Sequence, residues 1–156
     1  MNLDFLQKLD NICPPHFSPY GCLLALIMIT YGVHFFRAGL IIIKKRGFNL
    51  AEPRKNAPQG VIKGYIGGVI DRLRAAHENC FENLILTSAA ILSAVQANVS
   101  TELISSLGTL IVLTRIFFCI LYGLISNQGL AVLRSAVFVL GLAAIVRLFT
   151  LAIANS

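Results

Sequence analysis

The sequence predicts an all-α integral membrane fold, an antiparallel bundle of four membrane-crossing helices, and three observations carry that expectation. More than half of the 156 residues are hydrophobic (56%), and the mean hydropathy is +0.77. Apolar stretches at 21–43, 76–97, 103–125 and 130–154 are each about 20 residues or longer, enough at a rise of about 1.5 Å per residue to cross roughly 30 Å of hydrocarbon. The connections after the second and third stretches are short, which favours antiparallel neighbours. Without an internal repeat or low-complexity segment, residues 1–156 read as one membrane domain.

The first stretch follows a mixed segment containing Asp4, Asp10 and several prolines, with no basic leader and no small-residue cleavage site, so it reads as a retained span and not a signal peptide. Its start suits the PPHFSPYG turn, and it ends where IIIKKRG changes from apolar to basic, with Gly47 as the helix stop. The loop 44–71 concentrates the formal charge of +6: Lys44, Lys45, Arg46, Arg54, Lys55 and Lys63, with Arg72 and Arg74 just beyond, face only Glu52 and Asp71. The positive-inside rule places that loop in the cytoplasm and both termini outside. Attraction to anionic lipid head groups accounts for these cations, so no nucleic-acid partner is expected. Pro53, Pro58, Gly60, Gly64, Gly67 and Gly68 make 48–68 a loop without a period.

The second stretch opens on RLRAAHENCFE, Arg72 to Glu82, which carries charged residues and Asn79 into an apolar segment. A carboxylate at bilayer depth costs about 2.5–3.5 kcal/mol, so Glu82 is a candidate functional residue. Ser100 caps the third stretch, and Asn127 to Gly129 closes the second hairpin. Counted from the basic-loop end, Asn79 lies about 10 Å along its helix, Glu82 and Arg115 about 15 Å, Arg37 about 9 Å, Arg134 about 7 Å and Tyr122 about 5 Å. Arg147 approaches the opposite end and is expected to reach the interface there.

In the second stretch Arg72, Ala75, Ala76, Asn79, Glu82 and Asn83 recur at helical spacing and share a face; Arg115, Phe118 and Tyr122 do the same in the third. Arg74 and Glu78 sit four apart and pair with each other. A plain reading makes Glu82 and Arg115 an interhelical ion pair that binds nothing. It explains less well the further cations at one level, which call for an anion, and Arg suits bidentate carboxylate recognition.

AHENCFEN, Ala76 to Asn83, resembles the A-x-x-N-x-x-E signature of the membrane-associated proteins in eicosanoid and glutathione metabolism, the MAPEG family. Arg72 before it, Arg115 and Tyr122, and the Arg134–Ser135 pair resemble family positions too, and EPRKNAP resembles bacterial members. The resemblance runs from about Tyr20 to Ala154. It departs at Ala75, often Arg in the family, at Phe118, often Tyr or His, and in a longer interval from Tyr122 to Arg134.

The resemblance implies a homotrimer that holds glutathione as co-substrate between subunits in the cytoplasmic leaflet and meets a lipophilic small-molecule electrophile from the lipid bilayer. By position Arg37, Arg72, Arg74, Asn79, Glu82, Arg115 and Tyr122 would bind glutathione, and Arg134 would stabilise its thiolate. The alternative is a non-catalytic scaffold or lipid-binding relative whose buried ion pairs are structural. A transporter is disfavoured, since broken helices and inverted repeats are missing from the sequence.

Cys13, Cys22, Cys80 and Cys119 have no metal-ligand spacing, and no metal is expected. Cys80 and Cys119 read as small apolar residues, and a disulfide is conceivable for Cys13 and Cys22 on the outer side. His34 and His77 read as structural or solvated. Ser88, Ser93, Thr87 and Thr109 are expected to bond their own helix backbone, and Gly32, Gly39, Gly123 and Gly141 to allow close helix contacts.

Overall fold

The computed structural model describes residues 3–10, 12–45, 49, 51–52, 55, 62–127, 129 and 131–156. Among them the regular structure is helical throughout: α1 Leu3–Leu9, α2 Pro19–Lys45, α3 Tyr65–Gln96, α4 Thr101–Leu124 and α5 Ala131–Asn155. The expectations for Arg46, Gly47, Pro53, Arg54, Pro58 and Gly60 lie outside the described residues.

Among the described residues three helices, α2, α4 and α5, are long and apolar enough to cross a membrane. The stretch expected at 76–97 forms the later part of α3, which starts at Tyr65 and so takes up residues expected to be loop. Gly67 and Gly68 do not break the helix. A Cβ on Gly67 would stand 1.6 Å from the Ile62 carbonyl oxygen, so its place in α3 depends on having no side chain.

Helix α3 ends in a Schellman turn, in which Val99 N–H reaches Ala94 O and Asn98 N–H reaches Val95 O. Asn98 supplies the left-handed residue, with φ of 56°. Ser100 then accepts from Leu103 N–H at 3.3 Å, which is the cap the sequence predicts for α4. At the next connection Asn127 Oδ1 accepts from Gly129 N–H.

Helix α4 is the most enclosed of the three span-length apolar helices; it packs on α2, α3 and α5, while α3 also contacts α2 and α5. Without water to drive burial, such packing rests on small residues that let backbones approach. Gly108 faces α2, where a Cβ would lie 2.6 Å from Cys22 Sγ, and Gly141 faces α4, where a Cβ would lie 2.7 Å from Thr114 Oγ1. Gly141 fulfils its expected part. Gly32 and Gly39 have open space above them, and Gly123 has only an ordinary contact with Leu73.

The apolar core is divided. A large cluster around Leu26, Ile91, Leu107, Ile111 and Leu148 includes Leu6 and Leu9 of α1, and a small one joins Ile41 to Ile70. The N-terminal segment is stitched to the large cluster by polar contacts. Ser106 Oγ donates to the Asp10 carbonyl at 3.0 Å and to the Cys13 carbonyl, and Thr109 Oγ1 accepts from His16 N–H at 3.2 Å. Thr109 therefore serves a neighbouring segment and not only its own helix, whereas Ser88 bonds Leu84 O as expected.

Arg147 does not reach outward alone. Its Nε and Nη2 donate to both Asp10 carboxylate oxygens, at 2.9 and 2.6 Å. Cys22 is buried against α4 and all four cysteines are free thiols, so the conceivable pairing of Cys13 with Cys22 is not made.

Candidate functional site

The rotation of α3 decides which of its polar residues meet other helices. Gly67, Ile70, Leu73, Ala76, Cys80, Asn83, Thr87, Ile91 and Ala94 recur at helical spacing and face inward. Asn79 lies at the margin of that stripe, half-buried, and Glu82 falls outside it and is exposed. The shared face expected from Arg72 to Asn83 is thus divided into a buried part and an outer part.

Glu82 and Arg115 do not form the expected ion pair. Ion pairs among the described residues include Glu52 with Lys55, Arg74 with Glu78 and Asp10 with Arg147. Arg115 is 2% exposed and lies in the core. Its guanidinium stands 4.9 Å from the Phe118 ring and 5.6 Å from Phe138, and its Nε and Nη1 have no hydrogen-bond partner. Two aromatic faces attract the buried cation electrostatically, but leave the Nε and Nη1 donors unsatisfied.

The cations nearer the basic loop are engaged within the protomer. Arg37 Nε donates to Ile70 O at 3.3 Å and ties α2 to α3; Asp71, Arg74 and Glu78 are among its charged neighbours. Arg72 Nη2 donates to Gly123 O at 3.2 Å and ties α3 to α4, while its buried Nε has no partner. Arg74 holds Glu78 at 3.0 Å on the exposed side, as the spacing predicts.

Three of the expected site residues meet at one cavity of about 270 Å³. Asn79 of α3, Tyr122 of α4 and Arg134 of α5 line it, with Phe118, Ser135 and Phe138. The Arg134 guanidinium stacks on the Tyr122 ring at 4.5 Å. No acidic side chain is among the lining residues. Arg115 sits behind this wall, since the two rings beside it line the cavity.

The longer interval from Tyr122 to Arg134 has therefore not carried the guanidinium away from the tyrosine. Arg134 occupies the first turn of α5, where unpaired backbone N–H groups add positive potential. A stacked guanidinium and a helix start thus border an opening whose described lining residues include no carboxylate, a combination that favours negative charge.

The chain matches the sequence profile of the MAPEG family over residues 20–154. It belongs to the MAPEG family. No curated protein and no solved structure matches it. Membership makes this an integral membrane protein of a family with glutathione-related and eicosanoid-related roles, and the matched region takes in nearly all of α2 to α5 and every residue of the cavity.

One pairing beside the cavity of this MAPEG protein escaped the sequence. Cys80 and Cys119, expected as small apolar residues, bring their sulfurs to 3.2 Å across α3 and α4. His77, read from the sequence as structural or solvated, is structural: its Nδ1 donates to Thr30 O at 3.0 Å and its ring lies 5.0 Å from His34, linking α2 to α3.

Proposed function

We propose that this MAPEG protein is a membrane-bound glutathione-dependent transferase or peroxidase that conjugates or reduces lipophilic electrophiles. The observation that carries the reading is the Arg134 guanidinium, stacked on Tyr122 at a cavity with Asn79 on its wall and no carboxylate among the lining residues. A cation facing a cavity at membrane depth calls for an anionic ligand. Glutathione supplies carboxylates for the Asn79 and Tyr122 side and a thiol for Arg134. The guanidinium and the start of α5 both favour the thiolate, which is the nucleophile.

The same reading covers assembly. Arg74, Glu78 and Glu82 form an exposed charged stripe on α3, and a lipid-facing stripe of that kind is costly. A homotrimer in which α3 also crosses the bilayer would cover it with a neighbouring copy and bring Glu82 to the edge of the neighbour's site. The loop 44–71 then lies in the cytoplasm with both termini outside. Arg37 and Arg72 act as staples that hold α3 at its depth, and Arg115 supports the cavity wall.

A scaffold or lipid-binding reading is favoured by one observation: Arg37, Arg72, Arg74 and Arg147 all have partners within the protomer. Steady-state kinetics separate the two. Detergent-purified protein should conjugate glutathione to a generic aryl halide, and Arg134→Ala should lower kcat about 100-fold while changing the apparent KM for glutathione far less. Conjugation at the uncatalysed rate, or an Arg134→Ala variant as fast as the parent, would return the protein to the scaffold class.

A further inference from the structure

Beyond the Arg134 cavity lies a second reactive arrangement. Cys80 Sγ and Cys119 Sγ are 3.2 Å apart, joining α3 to α4. Cys80 is 1% exposed. Cys119 is half-buried and lines an apolar groove of about 580 Å³ between α2, α3 and α4, with Val33, Phe36, Leu40 and Leu73 among its walls.

We propose that Cys80 and Cys119 are a redox pair that reduces lipophilic hydroperoxides reaching Cys119 through this groove. The groove runs along helix faces whose surroundings in a bilayer are acyl chains, so its occupant is an acyl chain and the oxidant is one that such a chain can carry. The Cys119 sulfur is the attacking group because it lines the groove while Cys80 is enclosed.

The Cys119 sulfur attacks the terminal oxygen of the hydroperoxide as its thiol proton passes to the departing oxygen. A sulfur–oxygen bond forms, the oxygen–oxygen bond breaks, and the departing alkoxide takes a proton to become the alcohol. Cys80, giving up its own proton, then attacks the Cys119 sulfenic acid; the disulfide forms and hydroxide leaves as water. Two thiols and one hydroperoxide thus become one disulfide, one alcohol and one water, with the two electrons drawn from the sulfurs. A small-molecule thiol restores the pair by exchange.

This inference does not rest on the Arg134 site, and its test omits glutathione. The full-length protein is reduced, freed of small thiols, held in detergent and given one equivalent of cumene hydroperoxide, with hydrogen peroxide run in parallel. Thiol alkylation and peptide mass mapping then locate any disulfide. The expected product is a disulfide between Cys80 and Cys119, formed about tenfold or more faster with cumene hydroperoxide than with hydrogen peroxide.

Cys80→Ser should stop at a dimedone-trapped sulfenic acid on Cys119, and Cys119→Ser should lose the reaction, with both variants melting near the parent temperature. Free thiols at both positions after full exposure would overturn the proposal. So would disulfides through Cys13 or Cys22 in its place, or a Cys119→Ser variant that consumes hydroperoxide at the parent rate.

Discussion

Breaking the contact between Asp10 and Arg147 should loosen the N-terminal segment from the helices. The pair is bidentate, at 2.9 and 2.6 Å, and its side chains are only 12% and 16% exposed. Exposed pairs contribute about 0–1 kcal/mol, and removing one partner of a fully buried pair costs about 3–5 kcal/mol. This pair lies between those limits, because Arg147 sits near a helix end where water can reach a freed guanidinium. Asp10→Asn and Arg147→Met should each cost about 2 kcal/mol, which for a chain of this length lowers the melting temperature by about 4–8 °C.

The double variant should cost about 1–2 kcal/mol less than the sum of the two, since the second change removes an interaction already lost. Thermal unfolding of the four proteins in one detergent gives that coupling directly. Protease cleavage of the segment before α2 should rise in both single variants. Additive losses under about 0.5 kcal/mol each would refute the reasoning. Docking would then rest on Leu6, Leu9 and the contacts of Ser106 and Thr109.

Arg115→Met should leave the ligand-free protein as stable as the parent, or more stable by about 1–3 kcal/mol, because a flexible apolar chain replaces a buried cation with two unpartnered N–H groups; thermal unfolding without ligand checks it. Gly108→Ala should cost about 1–3 kcal/mol, since the added Cβ would stand 2.6 Å from Cys22 Sγ, and Cys22→Ala in the same chain should recover much of the loss. If Gly108→Ala melts at the parent temperature, the close approach of α2 and α4 is wrong.

Hydropathy alone located α2, α4 and α5, because in these three helices the apolar run and the helix nearly coincide. It misplaced the start of α3, since Gly67 and Gly68 read as breakers although Gly67 is required by the Ile62 carbonyl beside it. Asn79, Tyr122 and Arg134 were legible as a group because helical rise fixes their depth and α3, α4 and α5 are mutual neighbours.

Depth, however, says nothing about rotation. Glu82 and Arg115 are level by rise, yet the inward stripe of α3 is set by Ala76, Cys80 and Asn83, which turns Glu82 outward while Arg115 is packed between aromatic rings. The partner of Arg147 was hidden for another reason. Asp10 follows a seven-residue helix too short to show a period, so nothing in the pattern announced that this segment folds back on α5. The thiol contact was equally hidden, since Cys80 and Cys119 lie on different helices and form no motif in the sequence.

The central claim is that the opening beside Arg134 holds an anionic thiol peptide. Titrating glutathione into the detergent-purified protein, with melting temperature and direct calorimetry as paired readouts, tests it most directly. Saturable binding that raises the melting temperature, and that weakens when Tyr122 or Asn79 is replaced by alanine, is the predicted result. A melting temperature unmoved by glutathione together with no calorimetric signal would contradict the account.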